Sequence, residues 1–159
     1  MKPQEFTETI KKHELFVNGM AGGSRADLRE GDFAKLKYAY LNLRGASLAG
    51  VDFSGAELAG ADFSHADLFG ANFEGADVTE ANFEKADLRG ARFGGARMSF
   101  ANLSAADLRP GTLDTRPKDT PNTDLTSATL DYEKLKRAKL SKANCSTLRL
   151  RRLMPRSPQ

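Results

Sequence analysis

The residues able to do chemistry in this chain are few and poorly grouped. Two histidines, His13 and His65, stand far apart in the sequence. A single cysteine, Cys145, excludes an intramolecular disulfide and leaves no Cys/His spacing of the kind that holds zinc. Carboxylates are plentiful, but a catalytic pair needs one member desolvated in a cleft so that its pKa rises. Here Asp recurs at one fixed place, as in Asp62, Asp67, Asp77 and Asp87, where its oxygen can accept local backbone N–H groups and shape a turn. Glycines are frequent, yet no Gly-Lys-Ser/Thr follows to cradle a phosphate. The expectation is a protein that is not an enzyme, with no catalytic residue, no metal site and no cofactor.

The element that positions these groups is a five-residue repeat. Large apolar residues stand at Leu43, Leu48, Phe53, Leu58, Phe63, Leu68, Phe73, Val78, Phe83, Leu88, Phe93, Met98, Leu103 and Leu108. Two places before most of them is Ala, from Ala56 through Ala61, Ala66 and Ala71 to Ala106, and Asp or Asn often stands between. A helix needs an apolar period near 3.6 and a strand a period of 2; five fits neither as a continuous element. A chain that turns a corner every five residues accounts for it.

The unit Ala-Asp/Asn-Leu/Phe-x-x resembles the signature of pentapeptide-repeat proteins of the bacterial type, over about residues 26–150. The resemblance implies an all-β solenoid, a right-handed quadrilateral β-helix. In such a coil four pentapeptides make one turn, the central residue and the residue two before it point inward, and the other three face water. Gly50, Gly55, Gly60, Gly70, Gly75, Gly90 and Gly95 close their units, where a tight turn can demand positive φ. A period of twenty sorts the centres into columns. Phe33, Phe53, Phe73 and Phe93, followed by Leu113, form one; Leu43, Phe63, Phe83 and Leu103 lie opposite; Leu28, Leu48, Leu68, Leu88 and Leu108 form a third; Tyr38, Leu58, Val78 and Met98 form the fourth.

Five segments follow. Residues 1–25 hold a short capping helix at about 4–18, with Phe6, Ile10, His13 and Val17 on one stripe, and a Gly-rich lead-in. An open solenoid end needs such a lid, and His13 reads as part of it rather than as a ligand. Residues 26–114 are the main coils, the first of which departs from the pattern through Leu36, Tyr38 and Leu41. Residues 115–122, with two prolines and no apolar residue, are an inserted surface loop. Residues 123–150 are irregular coils in which Cys145 reads as a core filler and Glu133 occupies an inward place. Residues 151–159 are a basic tail.

Charge is uneven. The net charge is +3, but residues 26–114 sum to −5 and residues 115–159 to +7. The acidic belt Asp52, Glu57, Asp62, Asp67, Glu74, Asp77, Glu80 and Glu84 lies in a window, 45–84, without Lys or Arg. Quinolone-resistance members of the family imitate DNA and bind DNA gyrase, so the resemblance makes that topoisomerase an alternative partner. The main expectation is a non-catalytic scaffold for an unidentified protein, with Phe69, Phe100, Tyr40, Arg116 and Lys118 as candidate interface. A homodimer is expected through the C-terminal end at Leu150, Leu153 and Met154. Nucleic acid contact through Lys134, Lys136, Arg137, Lys139 and Lys142 is a second alternative, disfavoured because no aromatic residues interleave with the basic ones. The polar N-terminus does not suit a secretory signal, and no apolar run approaches the ~18 residues of a membrane span. A cytoplasmic protein without membrane contact is expected.

Overall fold

The computed structural model describes residues 3–111, 123–125, 129–131, 137–140, 142–146 and 149–151. Helix α1 spans Pro3–Val17, opening on a proline whose missing N–H would have had no partner in the first turn. It ends at Gly19, which adopts φ 66°. The Met20 N–H donates to the Leu15 carbonyl at 2.8 Å and the Gly19 N–H to that of Phe16 at 3.0 Å, the paired bonds of a Schellman stop.

From Ala26 the chain coils. Parallel bridges join residues twenty apart: Asp27 with Ser47, Asp32 with Asp52, Lys37 with Glu57, Asn42 with Asp62, and so on to Asp87 with Asp107. Four pentapeptides therefore make each coil. Every bridge is a single residue set between turns, so extended strand is scarce. Among the described residues only β1 (Thr129–Asp131) and β2 (Arg149–Arg151) run for three residues, paired in parallel. The layers are nonetheless fully laced: Leu28 N–H donates to Ser47 O and Ser47 N–H to Ala26 O, both at 2.9 Å.

The corners obey one rule. The last residue of every unit from Glu30 to Ala105 has positive φ, between 54° and 70°, whether glycine or not. The residue before it does not, and the i→i+3 bond of Gly31 N–H to Leu28 O (3.1 Å) closes the turn. Positive φ at the third residue alone is the type II pattern.

The inward positions are sealed. Phe53, Phe63, Phe73, Phe83, Phe93, Leu48, Leu58, Leu68, Leu88 and Met98 have no appreciable exposure, and the Ala positions between them are equally buried. Phe73 stacks on Phe93 with ring centroids 4.9 Å apart and Phe63 on Phe83 at 5.1 Å, close to the ~4.7–4.9 Å between neighbouring strands. The two Phe columns also meet edge to face across the axis, Phe73 against Phe83 at 5.6 Å and Phe83 against Phe93 at 5.7 Å.

Three expectations need correction. The place above Phe93, given to Leu113 by the spacing, is held by Leu125, which is wholly buried: Phe93 N–H donates to Asp124 O and Arg92 bridges Asp124. Thr123 makes the junction possible. Its hydroxyl accepts the Gly90 N–H at 3.0 Å and lies 3.0 Å from the Leu88 and 3.1 Å from the Arg109 carbonyls, so a polar residue sits satisfied where Ala would otherwise stand. Tyr38, expected inside, is 41% exposed, because the first coil has only α1 beneath it and Phe6 fills the space, 5.0 Å from the Phe33 ring and 6.2 Å from that of Tyr38. Cys145 is exposed and fills no core; its unit belongs to the last coil among the described residues, and none of these covers it. Leu113 itself and Glu133 lie outside the described residues.

Candidate functional site

With the interior filled, chemistry is confined to the outer rows. The first is the Asp/Asn row. Asp52 and Asp62 each accept the backbone N–H two residues on at 2.8 Å, Asp77 at 3.0 Å and Asp67 at 3.2 Å. Asn residues continue the row between coils: Asn72 donates to Asp52 at 3.1 Å, and Asn82 to Asp62 at 3.3 Å. These bonds favour the ionised acid. Asp52 lies below the ordinary carboxylate range chiefly through the Ser54 N–H, and Asp107 through Arg109. Asp77 is raised by burial, but Thr79 and Arg97 outweigh that and hold it low. None of the three is a proton donor near neutral pH.

The acidic belt is therefore not a continuous field. Its members fall on all four faces, and half of them also carry cations of their own. Lys37 pairs with Glu57 at 2.8 Å, Arg92 with Glu74 at 3.4 Å, Arg97 with Asp77 at 3.3 Å and Lys85 with Glu84 at 3.0 Å. All four cations lie outside the 45–84 window in sequence; Lys85 adjoins it, and the other three reach it only because neighbouring coils stack. Glu80 keeps its corner place at φ 60°.

The three aromatic candidates separate. Phe69 is half-buried: the Arg89 guanidinium lies 5.5 Å from its ring, and a Cβ on Gly111 would stand 3.0 Å from the ring edge, so glycine lets the chain pass close over it. Tyr40 and Phe100 stay outside, 77% and 46% exposed. They share one corner row, Tyr40, Gly60, Glu80, Phe100, three layers or about 14 Å apart. One edge of the Tyr40 ring lies close to Gly60, where a Cβ would meet it at 2.5 Å. The adjoining face is floored by Ala39, Ala59, Thr79 and Ser99 and carries the exposed Tyr38. A shallow groove of about 670 Å³ runs beside it, over Gly55 and Gly75, walled by the Lys37–Glu57 and Asp77–Arg97 pairs. Sequence reasoning missed Tyr38 as a surface residue; the departure of the first coil from the Ala-x-Leu pattern was the available signal.

Of the basic candidates, Arg137, Lys139 and Lys142 are exposed, with Lys139 3.8 Å from Asp107. Arg116, Lys118, Lys134, Lys136, Leu153 and Met154 lie outside the described residues. Leu150 is known only as the centre of β2, pairing with Leu130. Among the described residues no group of three or more His, Cys, Asp or Glu is arranged to hold a metal ion, and no helix is long and apolar enough to cross a membrane.

Single-residue bridges, left-handed corners every fifth residue and a core of stacked Leu and Phe define a four-sided β-solenoid built from pentapeptides. The chain belongs to the pentapeptide-repeat family, whose profile matches residues 39–75 and 71–109 with eight copies of the repeat. Among solved structures it is similar to HetL from Nostoc sp. strain PCC 7120, a protein involved in heterocyst differentiation regulation. Identity is 24% over 86% of this chain and 65% of that one, with a TM-score of 0.51. A pentapeptide-repeat protein of the Arabidopsis thaliana thylakoid lumen is 30% identical over 58% of this chain and 69% of its own, with a TM-score of 0.39. QnrB1, a plasmid-mediated fluoroquinolone resistance protein, is 24% identical over 81% of this chain and 64% of its own, with a TM-score of 0.38. No curated protein sequence matches.

Proposed function

We propose that this protein is a non-catalytic scaffold that binds another protein through the outer surface of a right-handed coil; the hand comes from the family resemblance. One observation carries the reading: Tyr40 and Phe100 stand exposed on one corner row, and Tyr38 on the face that adjoins it, while the Leu and Phe columns of the main coils are sealed inside. Aromatic side chains supply much of the contact energy in protein interfaces, and a face made of stacked layers holds them in fixed positions. The alternative, imitation of DNA toward a topoisomerase, draws on charge density alone, and the ion pairs at Glu57, Glu74, Asp77 and Glu84 reduce that density.

The test is affinity capture from native lysate with the intact chain and with a Tyr40→Ala/Phe100→Ala variant of equal thermal stability. Loss of a specific protein from the variant's eluate is the expected result. Identical eluates sink the reading. Light scattering on both proteins reports whether a second copy is that partner, the homodimer expected from the C-terminal end being one form of it.

A further inference from the structure

The most unusual polar group in the described structure is His13. Its side chain has no accessible surface and sits where α1 meets the first coil. Nδ1 accepts the backbone N–H of Ala26 at 3.1 Å, so the ring is unprotonated there and carries its hydrogen on Nε2. That atom is buried without a hydrogen-bond partner. The Phe16 ring stacks at 6.0 Å. The charged groups that bear on the ring are Arg25 of the lead-in, which opposes a second proton, and Glu14 of α1, which favours one; the backbone carbonyl of Arg44 on the first coil also favours one. Burial outweighs both and holds the ring below the ordinary histidine range.

We propose that His13 is a proton-sensitive latch: it holds the lid helix on the first coil near neutral pH and releases it in mild acid. A proton on Nδ1 would face the Ala26 N–H, donor against donor, and would place a charge in a dry site beside Arg25. The lid is also held by the Ser24 N–H on the Lys12 carbonyl at 3.0 Å and by the packing of Phe6 and Ile10 on the core. Repeat coils interact mainly with their neighbours, so an end unit opens without unfolding the rest. Release has a structural consequence. The N–H groups of Asp32, Lys37 and Asn42 donate to no backbone carbonyl among the described residues, whereas their counterparts one coil up, Asp52, Glu57 and Asp62, donate to Gly31, Leu36 and Leu41. An undocked lid bares Phe33 beside this unpaired edge, and the two together make a template for an added strand with an apolar anchor.

The sign follows from linkage. Above about pH 6.5 His13 is neutral both docked and undocked. As pH falls below that, the undocked form takes the proton first, so docking weakens with each further drop. The ceiling is tenfold per pH unit, about thirtyfold between pH 6.5 and pH 5.0. The experiment is amide exchange by NMR on the full chain, following Ala26 and the α1 amides at pH 7.5 and 5.0 with intrinsic rates divided out. Protection is expected to fall by between tenfold and thirtyfold in α1 and at Ala26, and to hold at Phe63 and Phe83. His13→Gln, which offers an acceptor but does not titrate, is expected to abolish the fall. Unchanged α1 protection in the wild type, or the same fall in the Gln variant, overturns the proposal. Should the variant not dock at either pH, the ring signals of wild-type His13 decide: a midpoint below that of exposed His65 supports the latch, and a midpoint equal to it with α1 still protected overturns it.

Discussion

Replacing Gly70 by Ala isolates the backbone demand of the coil corners. Gly70 has φ 66°, and a Cβ added there would meet nothing within 4 Å, so the substitution introduces no clash and removes no contact. What it changes is the conformational preference of one residue. An L-residue in the left-handed region costs roughly 1–2 kcal/mol, partly offset by the narrower unfolded ensemble of Ala, worth about 0.4–1 kcal/mol. The net expectation is a loss of about 1 kcal/mol, or about 2–4 °C in Tm for a chain of this size, read by urea and thermal denaturation with circular dichroism. Gly60→Ala is the informative comparison. Its φ is 69°, but the new Cβ would stand 2.5 Å from Tyr40 Cδ1 and Cε1, so the ring must swing off the surface as well. Gly60→Ala should therefore cost more than Gly70→Ala, and the excess should vanish in a Tyr40→Ala background. A neutral or stabilising Gly70→Ala would mean that the corners do not hold positive φ, and the account of the turns would fail with it.

Two further substitutions probe the core and the junction. Phe73→Ala, at a fully buried ring with four aromatic neighbours centred within 5.6 Å, should cost about 3–5 kcal/mol, a large share of a typical domain's stability, and lower the urea midpoint accordingly. Thr123→Val keeps the volume but takes from the Gly90 N–H the nearer of its two acceptors, leaving the Arg109 carbonyl at 3.2 Å; a loss of about 0.5–1.5 kcal/mol is expected, read as a lower urea midpoint.

The pentapeptide spacing read from residue types alone carries most of the fold. The twenty-residue period placed Phe53, Phe73 and Phe93 in one column and Phe63 and Phe83 in the opposite one, because a five-residue unit repeated four times returns each side chain to the same face. The capping helix was equally legible from Phe6, Ile10 and His13. The failures lie where a layer lacks a neighbour or where the chain leaves the coil. Tyr38 and Cys145 sit at inward positions of end coils, and burial there depends on what lies above or below. Leu125 in place of Leu113 could not be chosen from spacing, since both satisfy the apolar pattern, and the hydrogen bonds of Thr123 decide between them.

What the sequence determines by itself is periodic and local: which residues turn inward, where each corner falls, and that Asp oxygens cap their own turns. What the tertiary structure decides is pairing between coils. It neutralises much of an acidic window with cations drawn mostly from other coils, Lys37, Arg92 and Arg97. It covers Phe69 while leaving Tyr40 and Phe100 on one open row, and it closes Ala26 over the ring of His13. Each of these depends on residues about ten or more apart being stacked within a few ångströms, and a pattern of residue types cannot show which side chain of one layer lies down upon the next.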